Sequence, residues 1–270
     1  MKNWRLISPR YNDAYTNMAI DEATLQGYIA GVVPPTFRVY GWKPDAISLG
    51  YFQKVGEVLD IANCQQQGVS FVRRITGGEA IFHSNDVSYS IICSKEDLAL
   101  PKSIKSSFRV LASFLINAYK ALGAKAYFSC EDKNEVLQRK RSSFCFASRQ
   151  DFDILIGGKK LGGNAQKRLK NIIFQHGSVP LTLDIKKIKG FIREDLSGIE
   201  NRATALKDAL GKNISFNEFS SAIIDSFRKT FSLKPIEAEL SSFELKLIEG
   251  LRKEKYGCRK WNLEKAEMAK

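Results

Sequence analysis

The chain has 270 residues, 44% of them hydrophobic, and a formal charge of +13 from 42 Lys and Arg against 29 Asp and Glu. That length and balance suit a soluble globular protein with a sizeable core. No apolar run reaches the roughly 18–20 residues that span a bilayer, and the polar N-terminus lacks a signal core, so no membrane contact is predicted. Five widely spaced cysteines (Cys64, Cys93, Cys130, Cys145, Cys258) without Cys-x-x-Cys spacing, beside only two histidines, argue against a metal site and a secreted disulfide framework. Reduced thiols predict a cytoplasmic setting.

In chain order, the stretch from Thr16 to Leu25 reads as a helix with polar capping candidates at its start. Residues 37–42 and 46–51 read as two strands around a Lys43-Pro44-Asp45 turn, and 69–73 and 87–92 as two more. Phe108, Leu111, Phe114, Leu115, Ala118, Tyr119 and Leu122 recur at helical spacing and predict an amphipathic core helix over about 104–123. The polar stretch from Glu131 to Ser143 reads as an exposed loop. Asp153-Ile154-Leu155-Ile156, Gly157-Gly158 and Lys159-Lys160-Leu161 form a compact hairpin signal, since paired glycines supply the positive φ angles of a tight turn. Residues 172–179 read as a further strand, and helices follow around 216–231 and 241–253. With no long linker, the pattern predicts one α+β catalytic domain over 1–270. A mixed central β-sheet is flanked by helices, and a helical C-terminal section starts at about 185.

Three constellations carry chemistry. Cys145 lies fifteen positions before Lys160, and a thiol attacks a carbonyl only as thiolate, which a nearby ammonium stabilises by lowering its pKa. Gly162-Gly163-Asn164-Ala165 after the lysine offers bare backbone to a ligand. Arg73-Arg74-Ile75-Thr76-Gly77-Gly78-Glu79 places two permanent cations beside bare N–H groups, a setting for a carbonyl or phosphate oxygen. The third is Gln175-His176-Gly177-Ser178. The basic residues Arg139, Lys140, Arg141, Lys159, Lys160, Lys167, Arg168 and Lys170 flank Cys145 on both sides. They read either as a solvated face or as a surface for an acidic partner. No aromatic residues are interleaved with them as a single-strand stacking platform requires, so no nucleic acid is expected.

Taken together, these motifs resemble the biotin/lipoate protein ligase and octanoyltransferase superfamily. The likeness runs from Asn17-Met18-Ala19-Ile20-Asp21-Glu22 to Tyr256 and Trp261-Asn262, nearly the whole chain. Within it, Cys145-Phe146 stands where the cysteine-lysine octanoyltransferases of many Gram-positive bacteria carry their nucleophile. The resemblance implies a biotin/lipoate ligase-like catalytic domain that takes octanoyl from acyl carrier protein onto Cys145. The acyl group then passes to a lysine of a lipoyl domain, such as glycine cleavage H protein or a 2-oxoacid dehydrogenase E2, and no cofactor is needed. Glu79 stands where ligases usually have a third glycine, and the run after His83 lacks their usual Asp-x-Gly-Asn pattern.

The resemblance also implies roles. Cys145 is the acyl-thioester nucleophile, and Lys160 depresses its pKa and orients the acyl carbonyl, with Lys159 solvated. Gly77, Gly78, Gly163 and Ala165 line the acyl channel. His83 either contacts the acyl chain or braces the Arg-Gly-Gly loop; Arg74 either holds the donor's phosphopantetheine phosphate or braces that loop; His176 fixes the sheet. The alternatives are an ATP-dependent lipoate ligase that uses Lys160 without Cys145, an amidotransferase between lipoyl proteins, and an inactive nucleic-acid-binding member.

Overall fold

The computed structural model describes residues 3–132, 142–148 and 150–264. Strand β1 (Arg5–Asn12) and helix α1 (Ala14–Ile29) open the chain, followed by β2 (Thr36–Trp42), β3 (Ala46–Leu49), and the short helices α2 (Val55–Val58) and α3 (Ile61–Gln66). Strands β4 (Ser70–Arg73), β5 (Ile81–His83) and β6 (Asp86–Ser94) lead to helix α4 (Ile104–Ala121). Then come β7 (Ala126–Phe128), β8 (Ile154–Ile156), β9 (Lys159–Lys160), β10 (Gly163–Leu169) and β11 (Ile172–Pro180). The remainder is α5 (Ile185–Lys189), α6 (Leu206–Leu210), α7 (Phe216–Phe231), the two-residue β12 (Ile236–Glu237) and α8 (Ser242–Leu251).

The central sheet has six strands in the order β10-β11-β6-β2-β1-β12 and is mixed. β1 runs parallel to β2 and β12, whereas β2, β6, β11 and β10 pair antiparallel. Two small sheets, β4-β3-β5 and β7-β8-β9, stand beside it. The Lys43-Pro44-Asp45 turn therefore does not close a hairpin: it carries the chain from β2 in the large sheet to β3 in a small one. β1 and β10 are strands that hydrophobic alternation does not announce, because β1 mixes Arg5, Arg10 and Tyr11 into its apolar face and β10 reads Asn-Ala-Gln-Lys-Arg.

Helix α1 starts at Ala14, since Asp13 caps it by accepting the Thr16 N–H at 2.9 Å. Asn17 and Asp21, four residues apart, share one face. There they hold Arg38 of β2: Nη1 lies 2.6 Å from Asp21 and Nη2 2.6 Å from Asn17 Oδ1. Tyr40 and Ser90 hydroxyls also donate to Asp21, so this buried charge pair has its lone pairs answered. Helix α4 buries Leu111, Phe114, Leu115, Ala118 and Tyr119 against Phe37, Tyr89 and Ile91 of the sheet and Phe219, Ile223 and Phe227 of α7. Each buried Leu, Ile or Phe among them contributes about 1.5–3 kcal/mol of burial. Phe108 departs from the core reading of that stripe: it is half-buried and faces the cavity described below. Gly123, at φ 94°, follows the helix end at Leu122.

The two arginines of the Arg-Arg-x-Thr-Gly-Gly segment serve different ends of the chain. Arg73, fully buried, donates to the carbonyls of Gly50, Tyr51, Gln53, Trp261 and Asn262. In return its own N–H reaches Asn262 Oδ1, and its carbonyl accepts the Trp261 indole N–H. Tyr256 and Lys255 close on Glu22 of α1 at 2.5 and 2.6 Å. The C-terminal turns thus become the floor beneath the glycine loop.

Candidate active site

A cavity of about 440 Å³ opens between the central sheet, the small β3 sheet and the 145–147 turn, within the ~300–1,000 Å³ usual for small-molecule sites. Cys145, Lys160, Arg74, Gly77, Gly78, His83, Gly163 and Ala165, the residues singled out in the sequence, all line it. Arg139, Lys140 and Arg141 lie outside the described residues, as does most of the loop read from Glu131 to Ser143.

Cys145 opens a 3-10 turn (Cys145–Ala147) and is buried. Its main chain is stitched to the glycine loop on both sides: Ala80 N–H donates to Ser143 O at 3.0 Å, and Cys145 N–H donates to Ala80 O at 3.0 Å. Gly163 faces the sulfur so closely that a Cβ built there would lie 2.5 Å from Sγ. Bare backbone is therefore a steric condition for the thiol's position.

The hairpin places Lys160. Gly157 and Gly158 both take positive φ, 58° and 76°, the geometry of a two-residue type I′ turn. That turn sets Ile156 opposite Lys159 and Leu155 opposite Lys160. Lys160 points inward and is buried, while Lys159 points away and donates to Glu200 O. The ammonium of Lys160 makes three contacts: Asp153 Oδ2 at 2.8 Å, Cys145 O at 2.8 Å and Ser148 O at 3.2 Å. It therefore clamps the main chain of the cysteine turn rather than the sulfur, and all three of its N–H donors are engaged.

Burial acts on the thiol beside the lysine charge expected from the sequence. Burial pushes the Cys145 thiol up, and the charges of Lys160 and Arg74 offset that only in part, against Asp153 and Glu79. Lys160 itself is held as a cation: burial disfavours its charge, but Asp153 outweighs burial and its pKa rises. Asp153 was not among the predicted site residues. Its signal lay in the hairpin: with Leu155 opposite Lys160, the alternation of strand side chains puts Asp153 on the lysine's face. The expected consequence is measurable. Alkylation of Cys145 by iodoacetamide should be slow at pH 7 and keep rising beyond the ~8.5 of an ordinary thiol. A plateau reached below pH 7 would show a depressed thiol and contradict this reading.

Arg74 is a loop brace. Its Nη1 donates to Ser48 O at 3.0 Å, and its Nη2 donates to Gly77 O and Glu79 O at 2.9 and 2.8 Å. Burial lowers its pKa to about 10, and its Nε has no partner among the described residues. Gly78 sits at φ 95°, and a Cβ there would come within 2.8 Å of the Arg74 guanidinium. His83 is stacked on Trp42 with ring centroids 3.8 Å apart. Its Nδ1 lies 2.8 Å from Asp86 Oδ2 and its Nε2 2.8 Å from Ser48 Oγ. His176, on β11, reaches across to the glycine loop, with Nε2 2.7 Å from Thr76 Oγ1. Burial and then the nearby Arg74 charge drive it well below an ordinary histidine, so it stays neutral. Its fixed partner is thus the loop as well as the sheet. Trp42, Ser48 and Asp86 also escaped the sequence reading, because each is an ordinary strand residue until the fold brings it to His83. Among the described residues, no group of His, Cys, Asp or Glu could hold a metal ion, and no helix is long and apolar enough to cross a membrane.

Comparison with known proteins places the chain in a family. Residues 13–228 match the lipoyl protein ligase A/B catalytic domain. The octanoyltransferase LipM of Anoxybacillus flavithermus is 33% identical over 97% of this chain and 98% of its own length. That of Bacillus subtilis is 32% identical over the same shares. Among solved structures, the bipartite lipoate protein ligase of Thermoplasma acidophilum superposes with a TM-score of 0.79 at 21% identity, covering 97% of this chain and 96% of that one. A lipoate-protein ligase A bound with ATP gives 0.80 at 24% identity, covering 97% and 99%. Those two share the fold. With the family model spanning most of the chain and full-length relatives above 30% identity, the chain belongs to the lipoyl protein ligase A/B catalytic domain family.

Proposed function

We propose that this protein is an octanoyltransferase of protein lipoylation: it moves an octanoyl group from acyl carrier protein to the lysine of a lipoyl domain through a thioester on Cys145. The single observation that supports this most is the buried Cys145 sulfur against the bare backbone of Gly163, at the wall of a cavity also lined by Lys160. The octanoyltransferase name carried by full-length relatives points to the same acyl group.

In the first half-reaction the Cys145 sulfur bonds to the thioester carbonyl carbon, the carbon–sulfur bond to the carrier breaks, and the carrier thiol leaves with the proton that Cys145 gives up. In the second the acceptor nitrogen takes the acyl group. Thioester exchange is nearly isoenergetic and amide formation is downhill, so neither ATP nor a cofactor enters. The Lys160 charge favours the thiolate and the tetrahedral oxyanion, while its hydrogen bonds keep the Cys145–Ser148 turn in place. Gly77, Gly78, Gly163 and Ala165 border the acyl chain; Arg74 and His176 hold the loop around it, and His83 is fixed beside it by Asp86 and Ser48. The basic residues Lys167, Arg168 and Lys170 suit acidic protein substrates, and the reading needs no nucleic acid, no membrane and no metal. A cytoplasmic, single-domain enzyme over 1–270 completes it.

An ATP-dependent ligase has the same fold, but Glu79 lines the cavity where a nucleotide phosphate would need neutral backbone, and Cys145 would have no task. Incubation with octanoyl-acyl carrier protein should add one octanoyl mass to the intact protein, on Cys145, removable by hydroxylamine. An octanoate-dependent release of pyrophosphate from ATP, with no adduct, would make it a ligase instead.

A further inference from the structure

Gln175 and Gly177 on β11 have no task in the acylation steps above, yet both serve Asn164 on the neighbouring strand β10. Gly177 lies directly opposite Asn164, and a Cβ built on it would come within 2.2 Å of Asn164 Oδ1, so bare backbone makes room for the amide. Gln175 belongs to a chain of side-chain hydrogen bonds. Arg168 Nε donates to Gln166 Oε1 at 2.7 Å, and Gln166 Nε2 donates to Gln175 Oε1 at 2.9 Å. Gln175 Nε2 then donates to the Tyr89 hydroxyl at 3.3 Å, which donates to Asn164 Oδ1 at 2.7 Å. The direction is forced at its start. A guanidinium has only donors, so each amide after it accepts with oxygen and donates with nitrogen, and the single Tyr89 proton goes to Asn164. Asn164 therefore keeps its oxygen for Tyr89 and turns Nδ2 the other way, where it has no acceptor among the described residues. Gln175 and Tyr89 are fully buried, which holds the relay, and with it the amide, in one orientation.

Asn164 lines the main cavity and also an adjoining one of about 370 Å³, bordered by Ile104 and Phe108 of α4 and by Gln150 and Phe152. The two spaces share Asn164, Phe108 and Gln150 and so continue into each other. β10 is the outermost strand of the sheet, and strand alternation sends Asn164 to the face opposite Gly163, whose backbone meets the Cys145 sulfur. The amide thus serves not the sulfur but the part of a substrate that leads away from it. Resting on the octanoyl-transfer reading above, we propose that this annex seats the amide-bearing arm of the carrier-bound donor, and that Asn164 Nδ2 donates to the arm's amide carbonyl nearest the thioester. In such an arm that carbonyl follows the sulfur after two methylenes and one N–H, while Ile104, Phe108 and Phe152 flank the methylenes. The other substrate groups do not match. The octanoyl chain beyond its carbonyl is hydrocarbon, and an acceptor lysine presents donors only.

Two small octanoyl thioesters isolate this contact: that of N-acetylcysteamine, which has the amide, and that of butanethiol, which lacks it. Adduct formation on the protein is followed by intact mass with each, and with octanoyl-acyl carrier protein. Asn164→Asp keeps the oxygen that accepts from Tyr89 but loses the donor. It should lower the rate with the N-acetylcysteamine thioester about tenfold relative to the butyl thioester, and slow the carrier-bound donor as well. The relative measure cancels any effect of the new charge on the thiol. Asn164→Ala, which adds no charge, should show the same preference, and Tyr89→Phe, which frees the amide to turn, a smaller loss of the same sign. Discharge of preformed acyl-enzyme to a lipoyl domain should keep its rate. Equal losses with the two small thioesters would overturn the contact, as the mark of a residue that only supports the site. Unchanged rates with both would overturn it too, and so would slowed discharge beside unslowed acylation, which would put the amide on the acceptor's path. No adduct on the unaltered protein from carrier-bound octanoyl would sink the thioester reading, and the donor arm's seat with it.

Discussion

Cys145→Ala should abolish octanoyl transfer, leaving less than about one part in 10⁴ of the unaltered rate, as loss of a covalent nucleophile does elsewhere. The fold should survive. A Cβ built on Gly163 would lie 2.5 Å from the sulfur, so the thiol sits against bare backbone, and alanine leaves the Cys145 carbonyl free to accept from Lys160 and the N–H free to reach Ala80. Thermal unfolding of the variant should therefore stay close to that of the unaltered chain, while the octanoyl adduct disappears from its mass spectrum. Transfer that persists in a folded Cys145→Ala protein would remove the thioester from the reaction.

Lys160→Ala should be costly in both respects. The ammonium answers a nearly buried carboxylate and two backbone carbonyls, and removing one partner of such a pair leaves the other charge unanswered. Losses of about 3–5 kcal/mol are usual for that change. The Cys145–Ser148 turn would lose its clamp, and the thiol would lose the positive charge that most lowers its pKa. Acylation should slow by about 10²–10³-fold, and the pH profile of thiol alkylation should move further up. Chemical denaturation and stopped-flow alkylation read the two effects separately. Lys159→Ala is the control: its side chain faces outward onto Glu200 O, and both measurements should stay put. An equal effect from Lys159 would mean that the hairpin as a whole, and not the inward ammonium, supports the site.

Much of the site was legible because its chemistry is local. The hairpin over 154–160 follows from two glycines between apolar and lysine residues, and its register alone decides which lysine turns inward. The stripe on α4 reads as core and largely is, apart from Phe108 at the cavity. The remainder was hidden by distance along the chain. Nothing near Arg73 in sequence says that its partners are Trp261 and Asn262, and nothing near His83 points to the Ser48 hydroxyl. The burial that raises the thiol's pKa was hidden for a related reason: a lysine fifteen residues away is legible as a charge that lowers it, but burial and the oxygen acceptors around the ammonium are properties of packing. β2 and β3 were recognisable as strands, whereas the sheet each joins depends on β6 and β4, which lie further along.

The bonds between Arg73 and the last described turn set an order of events during synthesis. Translation proceeds at ~5–20 residues per second, and the glycine loop leaves the ribosome long before Trp261 and Asn262 do. Until those two residues emerge, Arg73 lacks its Trp261 and Asn262 carbonyl acceptors, and its own peptide N–H lacks the Asn262 side chain. The floor beneath Arg74, and with it the wall facing Cys145, is completed only by residues made long after the cysteine. A nascent protein would thus carry its nucleophile for many seconds before acquiring a finished place to use it.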